Sequence, residues 1–143
     1  MKRFSVFILL FLLQSSFLFA KKQQKINYQF VEEVYGYILK KKIQHPQIVL
    51  HQAILETGYF RGKYLMSRNN LFGFRNKKYI RFKNWKASVD FYKQWQVKRY
   101  KNPKENYYDF LVRIKFAGAK QYKSHLLKIK YKPFSKTIKA TKH

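Results

Sequence analysis

Cysteine is absent from the chain. That excludes disulfides, thiolate nucleophiles and lipid attachment through a cysteine, so the fold must stand on its core alone. Acids are nearly as scarce: 6 Asp or Glu face 32 Lys or Arg. The longest apolar run, Phe4 to Leu13, falls short of the roughly 20 residues that a spanning helix needs. There is no Gly-rich phosphate loop and no serine elbow. The four histidines, His45, His51, His125 and His143, lack HExxH or any paired spacing, so no metal site and no cofactor is expected.

What is present is bulk. Aromatic residues make up 20% of 143 residues, mostly Tyr and Phe. That is enough for one domain with a modest core, and it argues against a disordered chain despite the charge. The first twenty residues, "MKRFSVFILLFLLQSSFLFA", combine a basic start, an apolar run and a small residue, Ala20. This is the build of a secretory signal peptide. Leu18 is larger than the usual residue two before a cleavage site, which leaves an uncleaved anchor as the alternative. Removal of Lys2 and Arg3 with the leader lowers the formal charge from +26 to +24 over 123 residues. Such a chain seeks polyanions. For an exported protein these are cell-wall polymers, lipid head groups and acidic glycans rather than nucleic acid.

After a loose leader over 21–27, the periodicity predicts helices. Phe30, Val34 and Ile38 form one stripe from Asn27 onward, with Val31, Tyr35 and Leu39 beside it, and Asn27 is placed to cap. His45-Pro46 opens a second helix that Gly58 ends. Lys63 to Ser67 suits a short helix, and "KKYIRF" at 77–82 suits one arm of a small hairpin. Further helices are predicted over Trp85–Arg99, about Glu105–Phe116 and about Lys120–Lys130. The basic tail is 131–143, and it is expected to fray after Pro133. The reading is one mostly α domain of about five helices with at most one small β-hairpin.

One acid is oddly placed. In "HQAILETGYFRGKYLMSRNNLFGF", residues 51–74, the only carboxylate is Glu56. Val49, Ala53 and Glu56 share a helix face, so the side chain lies on or beside the buried side. Burial and the carbonyl end of a helix both raise a carboxyl pKa, while Arg61, Lys63 or Arg75 would lower it. A carboxyl held protonated near neutral pH can donate to the leaving oxygen of a glycosidic bond. The plain alternative is a surface glutamate paired with Arg61 or Lys63.

These residues carry a resemblance. "QAILETGYFRGKYLMSRNNLFGFR" resembles the signature of glycoside hydrolase family 73, the bacterial glucosaminidases that cut peptidoglycan on a lysozyme-like fold. The likeness extends more weakly through "FKNWKASVDFYKQWQ" and "FAGAKQYKSHLLKI", covering about 28–130. It implies that Glu56 is the general acid and that Asn69, Asn70, Phe72 and Gly73 form a cleft wall. Asn amides would meet N-acetyl groups and hydroxyls, and Phe72 a sugar face; the alternative is an ordinary tight turn. Tyr122 resembles a tyrosine that the family places near the acid, the alternative being a core tyrosine. The implied partner is the glycan strand of an anionic wall, met by a monomer. The pattern departs at "RNKKYIRFKN", where many members place a second glutamate and this chain has no acid. Either Asp90 assists, or Glu56 works with the substrate's own N-acetyl group, or catalysis is weak or lost. A non-catalytic cationic wall-binding or membrane-active protein is the rival reading. A nucleic-acid binder, suggested by "KQYKSHLLKIKYK", is disfavoured by the leader.

Overall fold

The computed structural model describes residues 25–118 and 121–134. The leader peptide over 1–20 and most of the basic tail lie outside them. Among these residues six helices follow one another: α1 Tyr28–Lys40, α2 Pro46–Thr57, α3 Lys63–Met66, α4 Trp85–Arg99, α5 Tyr107–Arg113 and α6 Tyr122–Leu127. The long ones were legible to within two residues. The last two are shorter than predicted because Lys115, at φ 53, and Gly118, at φ 68, turn the chain between them.

Asparagine starts three of the helices. The side chain of Asn27 accepts from the Phe30 N–H, Asn84 from Ala87, and Asn106 from Tyr108 and Asp109. Each satisfies donors that the first helical turn leaves without a partner. α2 starts instead on Pro46, behind His45 in the left-handed region.

α1 buries Val31, Val34 and Ile38 against α2 and α4. The expected stripe therefore runs through Val31 rather than Phe30, which packs at the edge against Phe60 and Trp85. α2 is the centre of the molecule: Val49, Leu50, Ala53 and Ile54 are fully buried. α6 closes over α2 and α5, burying Tyr122 and Leu126.

The segment 77–82 forms no strand. A single antiparallel bridge joins Arg75 to Tyr79, and Ile80 N–H reaches Phe74 O at 3.0 Å. The start of the tail is held in place. Tyr131 stacks on Tyr28, its hydroxyl bonds Glu32, and its carbonyl meets His51 Nε2 at 2.8 Å. Residues 131–134 are thus tied to α1 and α2.

The turn after α2 is strained. Gly58, Tyr59 and Phe60 have φ of 56, 59 and 60, and the left-handed region costs a non-glycine residue roughly 1–2 kcal/mol. Thr57 holds this turn. Its hydroxyl donates to Ala53 O at 2.6 Å and accepts from the Phe60 N–H at 2.9 Å. Thr57→Val keeps the shape and removes both bonds inside a buried position. It should lower unfolding stability by about 2 kcal/mol, seen as a reduced urea midpoint with an unchanged slope.

Candidate active site

Glu56 occupies the last turn of α2, one residue before the strained turn. That turn sends the chain through α3 and back over the end of α2. Gly73 then arrives against the acid: a Cβ added there would lie 3.0 Å from Glu56 Oε2. Its φ of +66 also favours glycine. The backbone thus comes within reach of the carboxyl because position 73 has no side chain.

The asparagines make this return possible. Asn70 is fully buried. Its Nδ2 donates to Phe74 O and Ile80 O at 2.8 and 2.9 Å, and its Oδ1 accepts from Phe74 N at 3.0 Å. Asn69, with φ 53, donates to Phe82 O at 3.0 Å. These amides bind backbone, so the expectation that they meet sugar is replaced by a structural role. A side chain that carries donors and an acceptor can close a loop from within as readily as it can bind a ligand. Phe72 is only 1% exposed and packs on Tyr92 with ring centroids 4.5 Å apart. It forms the floor of the cleft rather than a face on which a ring can rest.

The cleft holds about 420 Å3 and is open to solvent along one side. Glu56 lines it together with Tyr79, Trp95, Phe116 and the cations Arg75, Arg99 and Lys115. The sequence reading missed Trp95, Phe116 and Tyr79. Nothing local marks them: Trp95 sits on a helix with a mostly buried face, and Phe116 lies in a loop. Trp95 and Phe116 pack edge to face at 5.2 Å and form one aromatic wall.

Among the described residues Glu56 makes no ion pair, and the salt bridges join Lys41–Asp90, Arg113–Glu105 and Lys123–Asp109. Arg61 instead donates through Nε to Gly58 O. Burial raises the Glu56 pKa, and the nearby Tyr122 hydroxyl opposes this by favouring the charged form. Tyr122, 4% exposed, has its own pKa raised by burial and then by the Glu56 charge. It is therefore a neutral phenol, and its hydroxyl accepts from Gln52 Nε2 at 3.3 Å.

Asp90 lies elsewhere. It pairs with Lys41 at 2.7 Å and accepts from the Tyr37 hydroxyl at 3.2 Å, and it does not line the cleft. The proposal that it assists Glu56 is withdrawn on that geometry. Glu32 holds Tyr131, Glu105 holds Arg113, and Asp109 holds Lys123. Glu33 lines a second, shallower groove beside Tyr37 and Trp85. Of the six acids in the sequence, Glu56 is the one in the cleft.

A protein-family model described as a mannosyl-glycoprotein endo-beta-N-acetylglucosaminidase, of the glucosaminidase family, matches residues 33–142. The chain belongs to the glucosaminidase family. Membership supports glycoside hydrolysis, with peptidoglycan as the implied substrate class and the cell envelope or its exterior as the place of action. The mostly helical architecture fits a lysozyme-like single domain. No curated protein and no solved structure matches the chain.

The raised Glu56 pKa has a consequence for stability. The folded protein binds this proton more tightly than the unfolded chain does. That contribution is fully present below the ordinary carboxylate pKa and is lost as pH rises through the folded value. Glu56→Gln, which never ionises, should therefore melt higher than wild type at pH 8 and at about the same temperature at pH 4. Thermal unfolding at the two pH values checks this.

Proposed function

We propose that this protein is an exported endo-β-N-acetylglucosaminidase that cuts the glycan strands of peptidoglycan with Glu56 as the general acid. The observation that carries the reading is the lone, part-buried carboxyl of Glu56, set in a sugar-sized cleft and raised in pKa by burial. A carboxyl kept protonated can give its proton to the bridging oxygen as that bond breaks. Family membership supplies the bond type.

With no second carboxylate in the cleft, the two-acid schemes of most glycosidases lack a partner here. The N-acetyl oxygen of the substrate takes that role: it attacks the anomeric carbon as Glu56 protonates the leaving sugar. Water then opens the cyclic intermediate, and Glu56, now ionised, takes the proton from that water. The aromatic wall of Trp95 and Phe116 offers apolar area for sugar rings.

Export rests on the leader peptide. Among the described residues no helix is long and apolar enough to cross a membrane. The formal charge of +24 after leader removal would hold the enzyme on an anionic wall by many weak, salt-sensitive contacts.

A cationic wall binder without activity is the rival, favoured by the missing second acid. Glu56→Gln decides between them. In a zymogram on purified peptidoglycan the variant should lose clearing by at least about a hundredfold, the lower range for general acid catalysis, while still sedimenting with the wall. Asp90→Asn should clear like wild type. Clearing that persists in Glu56→Gln would remove Glu56 from the mechanism.

A further inference from the structure

The arginines of this protein divide into two groups. Arg61 donates to Gly58 O at 3.1 Å, Arg68 to Tyr64 O at 3.0 Å and Arg81 to Ser67 O at 2.5 Å. Arg113 holds Glu105 through two bonds, at 2.7 and 2.8 Å. Each of these guanidinium groups is used by the fold. Arg75 and Arg99 complete the described arginines. Among the described residues no hydrogen bond, ion pair or ring contact engages either side chain. Both are exposed, and both line the cleft that holds Glu56. Partnerless lysines mean little in a chain with 32 Lys or Arg and 6 Asp or Glu. The arginines are more telling: every described one outside the cleft has an acceptor, and the two without one line the same cleft.

Their neighbours repeat a pattern. Arg99 follows Trp95 by four residues in α4, so the two share a helix face one turn apart. Arg75 bridges to Tyr79 across residues 76–78, and residues opposed in this way project to one side of the backbone. Lys115, also without a side-chain partner among the described residues, directly precedes Phe116. Trp95, Tyr79 and Phe116 all line the cleft, and each is matched by a cation. The cleft offers these cations no acceptor of its own. Glu56 is its one acid and forms no salt bridge among the described residues.

An uncharged sugar polymer asks only for aromatic faces and neutral hydrogen bonds. A cation beside each face suits a glycan that carries acids. The planar guanidinium fork matches a carboxylate and holds it by two parallel bonds. We propose that Arg75 and Arg99 form a carboxylate-binding subsite in the cleft, with Lys115 as a supporting cation, and that they select glycan strands bearing free carboxylates over neutral ones. In peptidoglycan such groups have two sources: the lactyl group of a muramic sugar that has lost its peptide stem, and the stem itself. The inference rests on this cleft being the place where glycan binds. It does not require Glu56 to be the acid.

A general attraction to the positive surface is a different effect, and salt separates the two. At about 0.15 M salt, exposed charges more than roughly 8 Å apart are largely screened. Only cations in contact with the bound strand then distinguish a carboxylate from its amide.

Affinity is measured by calorimetry at that salt, in the Glu56→Gln background. The first probes are a stem-free tetrasaccharide of alternating N-acetylglucosamine and N-acetylmuramic acid, and the same compound with its lactyl carboxyls converted to methylamides. The acid form should bind at least about tenfold more tightly, the scale of one hydrogen bond to a charged group. Adding Arg75→Gln and Arg99→Gln should erase that preference and leave affinity for the methylamide form nearly unchanged. Adding Lys98→Gln and Lys104→Gln instead removes the same charge from exposed positions outside the cleft, and the preference should survive. A preference found only with stem-bearing fragments, free against amidated, and erased by the same arginine changes supports the subsite and assigns the carboxylate to the stem. Equal affinity for acid and amide in both sets, no binding of any fragment, a preference that survives loss of both arginines, or one that the lysine changes erase equally well, overturns the proposal. The two readings fail separately. Persistent clearing by Glu56→Gln would remove the acid and leave the carboxylate preference to be measured, whereas equal affinities would remove the subsite and leave the zymogram result standing.

Discussion

The removal of one carboxyl from water, beside a buried tyrosine, is the constraint around which the rest is built. Glu56 could be far more cheaply accommodated at the surface, since an acid taken from solvent resists ionising. Three features keep it where it is. α2 is buried along most of its length and carries the residue inward. The left-handed turn at Gly58–Phe60 brings the chain back at once. Gly73 then closes over the carboxyl without a side chain to push it aside. The backbone strain in that turn is held by Thr57, immediately next to the acid, and it makes room for the cleft.

The charge of the protein and the chemistry of its cleft are nearly independent. Cations cover the surface, and three of them, Arg75, Arg99 and Lys115, line the cleft. None of the three pairs with Glu56, whose raised pKa comes from burial. The positive surface suits adhesion to an anionic polymer, while the Glu56 carboxyl keeps its proton through burial. A chain of this net charge can therefore keep a protonated acid without competing ion pairs.

Much of this was legible in the sequence, for identifiable reasons. Helix starts could be read where an asparagine or a proline preceded a periodic run, as at Asn27 and Pro46. The end of α2 could be read from Gly58, and from that the inward tilt of Glu56. Asn69 and Asn70 were placed correctly on a turn but given the wrong partner, because an amide that closes a loop and one that binds a sugar look alike in one dimension. Asp90 was a candidate only because acids are few; its pairing with Lys41 is a contact across 49 positions, invisible to spacing. Trp95 and Phe116 meet through tertiary packing and carry no local signal.

The most direct trial of the central claim is a crystal structure of the Glu56→Gln variant with a bound peptidoglycan glycan fragment. The account predicts the bridging glycosidic oxygen within about 3 Å of the substituted side chain, with sugar rings along Trp95 and Phe116. A fragment seated only in the groove beside Tyr37 and Trp85, with the Glu56 cleft empty, would contradict it.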